Sequence, residues 1–128
     1  MGQRLAKRYH SRQTMARALN QTKNTVVAEE VTLATSMWSR FWGLMGRKNL
    51  ADGHGLLIDP CSSIHMFFMR FSLDVVFLDD EGRVKKVVAG IKPWRAALGG
   101  GGKKALELPA GAAAQANVET GDELVIVD

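Results

Sequence analysis

Asp74-Val75-Val76-Phe77-Leu78-Asp79-Asp80-Glu81-Gly82-Arg83-Val84-Lys85-Lys86-Val87-Val88 is the stretch that decides the fold. β-Branched and aromatic residues, which fit a pleated and buried surface, fill Val75 to Leu78. Three carboxylates and a glycine interrupt them at Asp79–Gly82, and a second apolar run begins at Val84. Gly82 takes a positive φ without steric cost, so the segment reverses the chain. The reading is a β-hairpin with strands over Asp74–Asp79 and Arg83–Val88.

Beyond the hairpin, Lys92-Pro93-Trp94-Arg95 reads as a loop and Gly99–Gly102, four glycines in a row, as a flexible one. Ala105–Leu108 is a strand closed by Pro109, Ala112–Val118 a short helix, and Glu123–Val127 a last strand entered through Thr120-Gly121-Asp122. On the N-terminal side, Gly55–Asp59 is a strand ended by Pro60. Val26, Val27, Val31 and Leu33 make one strand or two short ones. Thr35 or Ser36 caps a helix whose Met37, Trp38, Phe41, Trp42 and Met45 share one side, with Gly46 as its stop. Many short strands with turn signals and no alternating βαβ units predict a mainly β (α+β) fold. The expected form is a compact antiparallel sandwich or barrel with one or two short helices.

The chain has 128 residues, 46% hydrophobic and 23% charged, enough for one core without disulfides. A single cysteine, Cys61, excludes a disulfide framework and a Cys-rich zinc site. The net charge of +4 is uneven: residues 1–24 carry six basic residues and no acid, whereas 25–128 carry 11 basic and 13 acidic. The expected division is a basic, flexible tail over 1–24 and one domain over 25–128. The N-terminus lacks the apolar core of a secretory signal, and no run approaches the roughly 20 residues of a membrane helix. The expected compartment is the cytoplasm, and nucleic acid is expected only as a weak contact of the tail.

Chemistry concentrates in Pro60-Cys61-Ser62-Ser63-Ile64-His65-Met66-Phe67-Phe68-Met69-Arg70-Phe71-Ser72-Leu73-Asp74. If extended, it places Cys61, Ser63, His65, Phe67 and Met69 on one face. Cys61 and His65 then lie about 13 Å apart, too far for a nucleophile and base, unless the chain turns at 60–63. Each residue has a plain structural reading beside a functional one. Cys61 is a small core hydrophobe or a reactive thiol. His65 is a satisfied core group or a proton carrier. Met66 and Met69 are core filler or, with Cys61 and His65, soft ligands suited to copper(I). Asp74 pairs with Arg70 or serves a site. Glu107, between Leu106 and Leu108, faces solvent or a cleft. Trp94 covers the core or a ligand. No phosphate-binding glycine loop, HExxH, GxSxG or Cys-x-x-Cys motif is present.

The stretch from Pro60 to Asp79 resembles the signature of a family of small prokaryotic proteins known as domain of unknown function 192. Trp38–Arg47, Lys92–Arg95, Leu106-Glu107-Leu108-Pro109-Ala110-Gly111 and Gly121-Asp122 fit the same family in order, over about residues 25–128. Ser72 stands where many members have proline. The resemblance implies a mainly β, sandwich-like domain with a helix, and it marks His65, Met69, Asp74, Phe77, Glu107 and Gly111 as characteristic without a role. The leading expectation is a module that binds a small molecule or peptide. Its cleft would be walled by residues 61–74 and covered by the Trp94 and tetraglycine loops, with Cys61, His65, Met69, Arg70, Asp74, Trp94 and Glu107 as site residues and His65 sharing a cavity with Asp74 or Glu107. No cofactor or metal is expected. The alternative is an enzyme using His65 with Asp74, Glu107 or Cys61.

Overall fold

The computed structural model describes residues 16–34, 50–67 and 69–127. Its strands are β1 (Ala16–Asn20), β2 (Thr25–Ala34), β3 (His54–Ile58), β4 (Ser63–His65), β5 (Leu73–Leu78), β6 (Val84–Ile91), β7 (Ala96–Leu98), β8 (Lys104–Pro109) and β9 (Leu124–Val127), with a helix α1 (Ala112–Gln115). Seven strands form one sheet in the order β6-β5-β8-β3-β2-β1-β9, and β4 and β7 form a separate pair. The fold is mainly β, as the strand and turn pattern predicts. One pair departs from the antiparallel expectation: β2 and β3 run parallel. A parallel pair needs a long crossover, and residues 35–53 supply it. The helix expected near residues 35–46 falls in this connection, outside the described residues.

The hairpin forms as read. Gly82 has φ 89°, its N–H donates to the Asp79 carbonyl at 3.1 Å, and Asp79 Oδ1 accepts from the N–H groups of Glu81 and Arg83 at 2.9 Å each. These bonds hold the Asp79 carboxyl below its ordinary range, the Arg83 N–H contributing most. β5 is buried along its whole length because apolar clusters pack on both faces of the sheet. On one face lie Val31, Leu57, Val76, Leu106 and Leu108 with Ala113 and Val118 around α1. On the other lie Leu56, Ile58, Val75, Phe77 and Ala105 with Cys61, Ile64, Met66 and Met69. The sheet curls around the first cluster until its two edges meet. Arg83 bridges Glu123, and the N–H of Val84 donates to the Asp122 carbonyl at 2.8 Å.

Two sequence expectations are corrected. Residues 16–24 are not tail: Ala16 and Ala18 are wholly buried, and β1 pairs with β2 on one side and β9 on the other. The alternation of small buried alanines with Arg17 and Leu19 lets β1 lie against the core, although alanine has little intrinsic strand preference. The tetraglycine turn is packed, not slack. Its Gly99 N–H donates to the Ser62 carbonyl at 2.8 Å, and Gly102 N–H to the Gly99 carbonyl at 3.0 Å. A Cβ at Gly102 would sit 2.8 Å from Phe77 Cβ, and one at Gly99 2.7 Å from Phe77 Cδ1. Glycine is required there by the buried ring of Phe77.

Candidate functional site

The 61–74 stretch is not one strand, so its faces do not alternate throughout. Only Ser63–His65 is extended, and it pairs with Ala96–Leu98. The pairing continues for one more residue: Met66 N–H donates to the Arg95 carbonyl and Trp94 N–H to the Met66 carbonyl, both at 2.7 Å. Within this hairpin Ile64 and Met66 are buried against the sheet, while Ser63 and Phe67 are exposed and His65 is half-buried. Cys61 and Met69, expected on the face of His65, instead join the core cluster with Ile64 and Met66. Beyond the strand the chain turns: Met69 N–H reaches the Met66 carbonyl at 3.2 Å, and the Cys61 thiol donates to the Ser63 carbonyl at 3.0 Å.

The two acids separate. Strand neighbours in register share a face, so Glu107, opposite Leu56 and Val75, lies on the face covered by the 61–69 segment. It is wholly buried, not directed at solvent. Asp74 alternates with Leu73 and Val75 and so lies on the opposite face. Its Oδ1 accepts from Gly90 N–H at 2.8 Å, and its Oδ2 from Gly111 N–H at 3.0 Å and Ala113 N–H at 2.9 Å. Asp74 therefore ties β6 to the start of α1, and the expected cavity joining it to His65 is not formed. The expected pairing with Arg70 is replaced by these three backbone bonds.

What reaches the surface is a set of rings. His65 stacks on Phe67 with centroids 4.6 Å apart, and Phe67 meets Trp94 at 6.0 Å. Phe67 is 45% exposed, Trp94 58% and Leu98 75%. Beside them a shallow groove of about 250 Å³ runs along Ser63–His65 and Ala96–Leu98. That is below the usual range for a drug-sized ligand and suits a single ring or side chain. Trp94 has φ 69°, a left-handed conformation that costs an L-residue about 1–2 kcal/mol. The paired backbone bonds to Met66 hold it there. Strain of this kind is concentrated at functional sites. Arg95 and Arg70 are exposed nearby in the chain. Of the expected site residues, then, His65, Trp94 and Arg70 reach the surface, while Cys61, Met69, Asp74 and Glu107 are buried. Phe67 is the residue that sequence reasoning left out. Its signal was the alternation of Ile64 and Met66 with His65 and Phe67.

A second polar cluster is structural. Asp122 Oδ2 accepts from Asn20 Nδ2 at 2.9 Å, Lys23 Nζ at 3.0 Å and Glu119 N–H at 2.9 Å. Burial alone would raise the Asp122 carboxyl, but these bonds and the Lys23 charge hold it below its ordinary range. The bonds to Glu119 and Asp122 raise Lys23. A hollow of about 420 Å³ lies beside this cluster, between Leu19 and Val26, but its Asn20 serves the joint between β1 and the turn before β9. Among the described residues no three His, Cys, Asp or Glu side chains group as metal ligands, and no helix is long and apolar enough to cross a membrane.

The fold and these rings define a small, mainly β protein with an aromatic hairpin laid over a curled sheet. The chain belongs to the DUF192 family, described as uncharacterised ACR, whose model matches residues 18–126. It is 36% identical over 111 residues to a UPF0127 protein of Thermococcus sibiricus, covering 83% of this chain and 71% of that one. It is 36% identical over 110 residues to a UPF0127 protein of Pyrococcus furiosus, covering 83% and 94%. A protein of unknown function from Novosphingobium aromaticivorans shares the fold, with a TM-score of 0.71 and 23% identity over 85% of this chain and 81% of that one. A protein from Sinorhizobium meliloti, described as a candidate transcription regulator, has a TM-score of 0.72 and 26% identity over 85% and 89%.

Proposed function

We propose that this protein is a binding module that takes the flat, apolar face of a small molecule or peptide side chain on the rings of His65, Phe67 and Trp94. The observation that carries the reading is Trp94, a residue held at φ 69° and 58% exposed. The turn closed by the Arg95 N–H on the Lys92 carbonyl at 3.2 Å asks for a positive φ at this position, which glycine would meet without strain, so the choice of a half-exposed indole there is read from what the ring can contact. The groove along Ser63–His65 and Ala96–Leu98 adds room for one inserted group. The description of the Sinorhizobium relative puts nucleic acids among the ligands to screen.

The test is an amide NMR titration of the full chain with aromatic fragments, short peptides and oligonucleotides. Shifts are expected at residues 63–67 and 94–98, and are expected to vanish in Trp94→Ala. Shifts confined to other residues, or retained in the variant, refute the reading.

A further inference from the structure

Charge is segregated along the chain in a way that the hairpin makes spatial. Residues 60–73 and 84–106 together hold seven Lys and Arg and no Asp or Glu; all 13 acids lie elsewhere. These two segments contain β4, β6, β7, the Trp94 loop and the tetraglycine turn. Among the described residues, the carboxylate within ion-pair reach of any of the seven cations is Asp59, 3.7 Å from Lys104. Arg70, Lys85, Lys92 and Arg95 are exposed.

Cations stand at both ends of the hairpin strip, the exposed rings at one of them. Arg95 and Lys92 stand beside Trp94 in the loop whose backbone bonds to Met66. At the far end Lys86 Nζ bonds the Leu98 carbonyl at 2.9 Å, and Gly100 and Gly101 of the glycine turn lie against Lys86 and Lys85. From Trp94 to Leu98 is four residues, about 13 Å of extended chain. A strip of that length, with exposed rings and cations at one end and further cations at the other, matches a strand of a few nucleotides, in which planar bases alternate with phosphates. A lone apolar side chain would leave the cations without a role, and a duplex would keep its bases inside the stack. Resting on the ring site proposed above, we infer that its ligand is single-stranded nucleic acid, with bases on Trp94 and Phe67 and phosphates on Lys92, Arg95 and the Lys85–Lys86 end. This differs from the sequence expectation, which confined nucleic acid to weak contact with the N-terminal tail.

The experiment is fluorescence anisotropy of the full chain with a dye-labelled ten-nucleotide strand at several salt concentrations, with a mononucleotide and a duplex of the same length alongside. With about four phosphates neutralised, the logarithm of affinity is expected to fall with the logarithm of salt at a slope near −3. Trp94→Ala is expected to weaken binding about tenfold, and Trp94→Tyr to keep most of it. Lys92→Gln with Arg95→Gln is expected to flatten the salt slope by about 1.4. Replacing Arg4, Lys7, Arg8 and Arg12 by Gln is expected to leave the Trp94 effect intact. All of these substitutions lie at exposed positions or outside the described residues, and circular dichroism confirms the fold of each variant. The inference is overturned if the duplex or the mononucleotide binds as tightly as the strand, if Trp94→Ala binds unchanged, or if binding disappears with the N-terminal substitutions alone. If peptides or fragments shift residues 63–67 and 94–98 while the strand neither binds nor competes, the nucleic-acid inference fails and the binding module stands. If nothing shifts those residues, both fail.

Discussion

Removing the carboxylate of Asp74 should separate a fold role from a site role. Asp74 is 1% exposed, and its two oxygens accept three backbone N–H bonds, from Gly90, Gly111 and Ala113. These donors belong to the end of β6 and the entry to α1. Hydrogen bonds to a charged acceptor contribute about 1.5–3 kcal/mol each, and a buried donor left unmade costs about 1–3 kcal/mol. Asp74→Ala strips both acceptor oxygens and leaves three N–H donors unpaired; allowing for a water entering the vacated space, the loss is roughly 4 kcal/mol. Asp74→Asn can turn its one oxygen toward Gly111 and Ala113 and leave its amide facing the Gly90 donor, so about 2 kcal/mol is expected. Urea melts followed by circular dichroism would measure both, with exposed Asp80→Ala expected within about 0.5 kcal/mol of the parent. At roughly 3–5 °C per kcal/mol for a chain of this size, Asp74→Ala should melt about 15 °C lower. The rings lie on the other side of the sheet, so Asp74→Asn should bind whatever the parent binds. A loss below about 1 kcal/mol in Asp74→Ala, or a folded Asp74→Asn that no longer binds, would refute the assignment.

Deleting residues 1–24 removes β1, the strand ladder on which β9 depends, and should abolish the dispersed amide NMR spectrum; a folded truncation would show that β1 is dispensable. Gly102→Ala should destabilise by about 1–3 kcal/mol in urea melts, because its Cβ would meet Phe77 and the Leu78 backbone; an unchanged midpoint would mean the turn has slack. Asp122 titrates below its ordinary range in the folded state. Its stabilisation is therefore complete above the unfolded carboxyl value of about 3.9 and disappears as pH falls through the depressed folded value. Stability measured from pH 6 to pH 2 should decline less steeply in Asp122→Asn; equal slopes would contradict the sign.

What was legible in the sequence was local. The Asp79–Gly82 turn carries its own acceptors and its own positive φ, so composition suffices to place it. β1 was not legible, because Ala16-Arg17-Ala18 has weak strand preference and its partner β9 lies more than a hundred residues away. The tetraglycine turn shows the same limit: glycine permits slack and also permits close approach, and only the ring of Phe77 decides between them. Within the 61–74 stretch the faces were misassigned, because alternation was carried past the three residues that are extended. Asp74 and Glu107 were conspicuous as charges in apolar strands. A carboxylate in such a strand signals burial, and its partner comes from elsewhere in the fold, here the backbone of Gly90, Gly111 and Ala113 for Asp74.

The placement of those charges explains why the rings can sit where they do. The curled sheet is fastened at one end by Arg83 and Glu123, at another by the Asn20–Lys23–Asp122 bonds, and behind β5 by Asp74. None of these ties lies in the β4–β7 hairpin, which is attached through Ile64 and Met66 and through the backbone bonds of Gly99 to Ser62 and Cys61 to Lys103. The hairpin is thus anchored by its inner side chains and its ends. A strained tryptophan on its outer face costs about 1–2 kcal/mol, a burden that a fold tied at three other places can carry. If the cost is for function, Trp94→Gly relieves it. Replacing the residue at φ 69° should leave stability level or higher after the lost contact with Phe67 is counted, while removing the binding surface. A Trp94→Gly variant that is markedly less stable would mean that the indole is there to hold the hairpin, and the functional reading of the rings would lose its main support.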